Sequence, residues 1–164
     1  MTVRLVALDN LQTAVISRGP GVYASGVGPY GTIVAREKAG TNGVYQVWGT
    51  AGVGCPAASD PLVGWAPLGE MGGGPAGSVS VRFTTPGGDD AATAADNVLG
   101  ACNSDGSVVH YRGSIYAANG TDGENRTVND VPVEQYLRGV VPKEVSASWG
   151  SAGLACLDAT SGDT

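Results

Sequence analysis

The single histidine, the three cysteines and one acid set among apolar residues are the groups in this chain with chemistry to offer. The acid is Glu144, in the run "YLRGVVPKEVSASWG" from Tyr136 to Gly150. A carboxylic acid that protonates an ether-type oxygen near neutral pH needs its proton held by apolar burial. Val140, Val141, Val145 and Trp149 are near enough in sequence to supply such surroundings, and Pro142 stiffens the backbone that carries the acid. Lys143 argues the other way, because a close ammonium stabilises the carboxylate. Local chemistry leaves two readings of Glu144 open: a solvated carboxylate on a turn, or a proton donor in a cleft.

The other candidates are weaker. His110 lies inside the alternating run "VVHYRG" and reads as a half-buried structural residue rather than the hub of a Ser-His-Asp or Cys-His device. Cys55 and Cys102 sit in Gly/Ala-rich settings. A disulfide between them would close a loop of about 48 residues and contribute roughly 4 kcal/mol, and the alternative is two unrelated small buried residues. With one histidine, scattered cysteines and no C-x-x-C, no metal site is expected, and no cofactor. "GVGPYG" (Gly26–Gly31) has the form G-x-G-x-x-G, yet Pro29 interrupts it and the strand-like "TIVA" follows. A dinucleotide site needs a helix there. Asn119 in "NGT" and Asn125 in "NRT" are glycosylation sequons in form only.

These residues must be positioned by short elements. The chain has 27 glycines and 9 prolines against 15% charged residues, a turn-rich composition. Alternation predicts strands in "TVRLVAL", "TAVIS", "GTIVAR" and "GVYQVW", with Val44, Gln46 and Trp48 on one side. "SVSVRF" places Val79, Val81 and Phe83 on one face, and "SVVHYRGSIYAA" reads as a strand or strand pair. Residues 49–77 and most of 85–106 read as loop. "DVPVEQYLRGV" reads as a short helix, capped by Asp130, with Pro132 in its first turn and Gly139 at its end. Its stripe of Val133, Tyr136, Leu137 and Val140 reads as core packing. The expected fold class is α+β, mainly β: short antiparallel strands with a small C-terminal helical element.

A net charge of −6 argues against nucleic acid and anionic lipid as partners. No run approaches the ~18 apolar residues of a membrane span. The opening "MTVRLVALDNLQTAVI" is not a signal peptide, since Asp9 and Asn10 break any apolar core.

The run "YRGSIYAANGTDGENRTVNDVPVEQYLRGVVPKEVSASW" resembles the opening of the SpoIID/LytB domain family of bacterial cell-wall proteins. Three parts carry the likeness: the strand pair with "YRG", the "VN-x-V-P-x-E-x-Y-L-x-G-V-V-P" run, and the "K-E-V-x-x-S-W" continuation. The resemblance implies a lytic transglycosylase that cleaves peptidoglycan glycan strands stripped of stem peptides, in sporulation or wall remodelling. It also implies that the acid of the "P-x-E" element, here Glu144, is the catalytic acid. Glu134 in "VEQYL", on the solvent side of the helix, is expected to be structural.

The implied divisions are an accessory β region over 1–106, packing or wall-binding in role, the N-terminal part of the family domain over 107–150, and a divergent tail over 151–164. Val145 stands where the family has Met or Leu, and Ser146 where it often has Pro. "SAGLACLDATSGDT" replaces an Ala-rich helix, and the Cys/His residues that bind metal in some members are missing. The resemblance therefore implies a truncated or frame-shifted chain, or a fragment of a larger extracytoplasmic protein. The alternatives are a non-catalytic module that binds peptidoglycan or a partner cell-wall hydrolase, as an amidase modifier does, and an inactive remnant.

Overall fold

A computed structural model describes residues 2–7, 12–75, 78–87, 98–119 and 125–137. They form β1 (Thr2–Ala7), β2 (Gln12–Ser17), β3 (Val22–Ala24), β4 (Val27–Tyr30), β5 (Thr32–Glu37) and β6 (Val44–Thr50). There follow β7 (Ala66–Gly72), β8 (Val79–Thr84), β9 (Val98–Cys102), β10 (Val108–Arg112), β11 (Ser114–Asn119) and β12 (Asn125–Pro132). A one-turn helix, α1, occupies residues 133–137. The strands build two six-stranded antiparallel sheets. Sheet A runs β1-β12-β11-β8-β3-β4 and sheet B runs β10-β9-β2-β5-β6-β7.

The inner faces of both sheets close on one core, in which Val15, Ile33, Tyr45, Val47, Leu99, Val81, Phe83 and Ile115 are all buried. This is the sandwich solution for a chain whose strands alternate apolar-in and polar-out. In β6, Tyr45, Val47 and Gly49 face inward while Gln46 is exposed, so Val44, Gln46 and Trp48 share the outer side. In β8, Val81 and Phe83 point into the core.

β2 departs from alternation because both of its faces are covered. Its outer residues Ala14 and Ile16 join Val34, Leu62 and Cys102 in a second apolar cluster. Residues 51–65 lie over that cluster, and Leu62 is the plug. Gly100 in β9 belongs to the same layer: a Cβ there would stand 2.6 Å from Ile16 Cγ1 and 2.7 Å from Val108 Cγ1.

Three sequence expectations shift. Residues 49–77 are not all loop, since β7 pairs with β6. Its sequence "APLGEMG" lacks β-branched residues, but an edge position tolerates Pro67, and a register shift between Pro67 and Gly69 passes over Leu68. Residues 85–106 contain β9, a strand paired on both sides. The helix begins later than its sequence implies, because Asp130 stays in β12 opposite Arg4 of β1 and Ser114 of β11. Two flanking ladders hold that backbone more firmly than one cap. The expected end at Gly139 lies outside the described residues, as does Val140.

The expected division at residue 106 falls in the turn of the β9–β10 hairpin. β10 then joins sheet B while β11 and β12 enter sheet A, between β8 and β1. Strands from both sides of that division therefore fill both sheets. Gly113 makes the crossing between sheets, with φ of 81°, and a Cβ there would collide with the Asp130 carbonyl and Val131.

Candidate functional site

β11 and β12 have an inner face packed into the sandwich and an outer face that carries polar and aromatic side chains. On the inner side Asn125, Thr127, Asn129 and Val131 are buried. Thr127 shares a 2.7 Å hydrogen bond between hydroxyls with Thr13 of the facing sheet. Tyr45 Oη donates to Asn125 Oδ1 at 2.7 Å, and Asn125 Nδ2 donates to Thr13 Oγ1 at 3.2 Å. Burial first, and the nearby Glu37 carboxylate second, push the Tyr45 phenol well above its ordinary range. The phenol therefore stays protonated and remains a donor.

Asn119 Nδ2 donates to Asn42 Oδ1 at 2.6 Å. Both sequon asparagines are thus buried and hydrogen-bonded within the fold, which closes them to glycan transfer once the chain has folded.

The outer face of sheet A presents Ser114 and Tyr116 from β11, Arg82 from β8 and Arg126 and Asp130 from β12, by the strand register. Tyr116 lies directly opposite Arg82 and also opposite Val128. The Arg82 guanidinium stands 5.7 Å from the centre of the Tyr116 ring. Arg82 Nε and Nη2 both donate to Ser114 Oγ, at 3.2 and 3.0 Å. Ser114 and Asp130 are buried, Tyr116 and Arg126 are half-buried, and Arg82 is exposed.

On the outer side of sheet B, Arg36 organises residues 51–65. Its Nη1 donates to the Asp60 carbonyl at 2.7 Å, its Nη2 to the Ala57 carbonyl at 3.1 Å, and its Nε to Gln12 Oε1 at 3.0 Å. Burial lowers its proton affinity, and Asp60 partly restores it. Cys55 and Cys102 are joined in a disulfide, with α-carbons 5.6 Å apart, tying the same segment to β9. A groove of about 240 Å³ beside the bond is lined by Gln12, residues 55–58 and residues 102–106.

The histidine is displaced from its sequence expectation: His110 is exposed on β10, an edge strand, rather than half-buried. "GVGPYG" folds as the turn and strand of the β3–β4 hairpin, with a cis Gly28–Pro29 bond, and the strand β5 follows it. Among the described residues no three His, Cys, Asp or Glu side chains gather as a metal site would need. Glu134 is exposed on α1, and Leu137, at 44% exposure, opens the expected apolar stripe to solvent. Glu144, Lys143, Val145 and Trp149 lie outside the described residues. Among those residues no helix is long and apolar enough to cross a membrane. The Arg82–Ser114–Tyr116 arrangement is not legible in the sequence, because Arg82 lies 32 residues before Ser114 and meets β11 only through strand pairing.

Residues 121–159 match the family model of SpoIID, Stage II sporulation protein. The match takes in β12 and α1, includes position 144, and continues past Gly150 into the segment expected to diverge. It ties this part of the chain to a family of sporulation and cell-wall proteins and covers only that part. No curated protein and no solved structure matches the chain.

Proposed function

We propose that this chain is the β-sandwich portion of an extracytoplasmic SpoIID-type cell-wall protein, and that it acts on peptidoglycan glycan strands as a lytic transglycosylase with Glu144 as the catalytic acid. The observation that carries the reading is the family match over residues 121–159, which contains Glu144. The Cys55–Cys102 disulfide supports an oxidising compartment, because such bonds persist outside the cytosol and are rare within it.

The chemistry needs one carboxyl group. Glu144 gives its proton to the glycosidic oxygen, and the bond from that oxygen to the anomeric carbon breaks. The sugar's own 6-hydroxyl then attacks the anomeric carbon and loses its proton to the Glu144 carboxylate. A 1,6-anhydro ring closes and the acid is regenerated. No water is activated, so the second carboxylate of a hydrolase is dispensable.

Incubation of the purified chain with glycan strands freed of stem peptides tests this. Anhydro-muropeptides are expected, and Glu144→Gln is expected to abolish them. Co-sedimentation with the strands and no cleavage would instead support a non-catalytic wall-binding or amidase-modifying module. A chain without near-UV circular dichroism would support a remnant.

A further inference from the structure

We propose that the Cys55–Cys102 disulfide is a site of reversible thiol–disulfide exchange with a protein dithiol that enters the groove beside it, and that reduction unfastens residues 51–65 while the sandwich stays folded. Such an exchange is independent of glycan cleavage.

Exchange requires an attacking thiolate to reach one sulfur of the bond. Cys55 is partly exposed, and Cys102 is 8% exposed at the end of β9. Both line the groove of about 240 Å³. One wall of the groove is the β9–β10 turn, which is held by its own hydrogen bonds. The Ser107 amide and hydroxyl both donate to Asp105 Oδ1, at 2.8 and 2.6 Å, and the Asn103 amide donates to the Ser107 carbonyl at 2.8 Å. On the other wall Ala57 and Ala58 are exposed and small, which leaves an approach to Cys55.

What the bond fastens is separate from the main core. The core between the sheets contains no residue from 51–65. Within that segment Leu62 alone is buried, and it has a φ of 54°, a left-handed conformation that a bulky residue adopts only at a cost. The other ties are hydrogen bonds from side chains of sheet B: from Arg36, from Thr32, and from Gln12 Nε2 to the Pro56 carbonyl at 2.8 Å. Water replaces such bonds at little net cost. Without the covalent link, strain at Leu62 opposes them, and opening uncovers Ala14, Ile16 and Val34 on the outer side of β2 and β5. A local opening of this kind lies below global unfolding in free energy.

The exchange balances in two steps. A thiolate of the reductant attacks Cys55 Sγ, the more exposed sulfur, the bond to Cys102 breaks, and Cys102 leaves as a thiolate that takes up a proton. The second thiol of the reductant then loses its proton and attacks the mixed disulfide, releasing Cys55, which is protonated in turn. The reductant ends as a disulfide, and the chain has gained two electrons and two protons. A monothiol stops short: the Cys102 α-carbon is 5.6 Å from that of Cys55, so its thiolate displaces the adduct and restores the bond.

The test follows alkylation of the Cys55 and Cys102 peptides in the full chain. With dithiothreitol, the native bond is expected to be reduced within about a hundredfold of the rate for the urea-unfolded chain, whereas reduction that waits for global unfolding lags by ~10³-fold or more. A thioredoxin-type protein with a Cys-x-x-Cys pair is expected to reduce the native chain, and Ala58→Trp, which fills the groove, to slow it about tenfold with an unchanged thermal transition. A Cys156→Ser chain should behave as wild type, which excludes the third thiol as the attacker.

The reduced chain should be cut first within residues 51–65 by limited proteolysis and bind more anilinonaphthalene sulfonate, yet keep a cooperative thermal transition. Oxidised glutathione should reverse all three changes. Reduction at the rate of global unfolding, no slowing by Ala58→Trp, an unchanged cleavage pattern, or loss of the cooperative transition on reduction would each overturn the proposal.

Discussion

Asn125 joins β12 to β2 and β6 through one side-chain amide, accepting from Tyr45 and donating to Thr13. In sequence the residue looked like a sequon, because a three-residue motif contains nothing about burial. Tyr45 carries a consequence of the same network. Its folded-state phenol holds its proton beyond the ordinary value, through burial and then Glu37, whereas the unfolded phenol ionises near pH 10. Above that pH the unfolded chain binds fewer protons than the native one, so stability falls as pH rises. Urea midpoints between pH 9 and 11 should drop for wild type. They should drop less for Tyr45→Phe, which is already weaker at neutral pH because Asn125 Oδ1 has lost that donor. Parallel pH slopes for the two proteins would refute the assignment.

At the scale of elements, residues 51–65 behave as a strap over sheet B. Arg36 holds the strap by its carbonyls, Thr32 Oγ1 donates to the Gly52 carbonyl at 2.8 Å and accepts from the Gly54 amide at 3.1 Å, and the disulfide fastens it to β9. The composition "GVGCPAASDPLVGW" was legible as loop, and it is one. That it covers a second apolar layer was not legible, since the layer exists only once β2, β5 and β9 lie side by side. Cys102→Ser should cost roughly 2–4 kcal/mol, the usual value for closing a loop of this size. It should also make the strap the first site of limited proteolysis. An unchanged cleavage pattern would show that Arg36 and Leu62 suffice.

For the whole molecule, strands on either side of residue 106 pair with each other. β12 pairs with β1, β11 pairs with β8, and β10 pairs with β9. Residues 1–106 and 107–164 produced separately should therefore both lack a cooperative thermal transition, and regain one when co-expressed. A cooperative transition in the 107–164 piece alone would restore the division at residue 106 as a true boundary.

Alternation of side chains along each strand is a local property, so the sequence by itself determined most strand positions, the mainly β class and the family of the 121–159 segment. It also placed both members of the disulfide, without deciding that they meet. Sheet partners, the fate of His110 and the sequons, and the late start of α1 were decided by tertiary structure. Each depends on pairing between residues distant in the chain, which competes with local preference and prevails by satisfying backbone groups on two sides at once. The Arg82–Tyr116 pair likewise came into being only when β8 and β11 lay side by side.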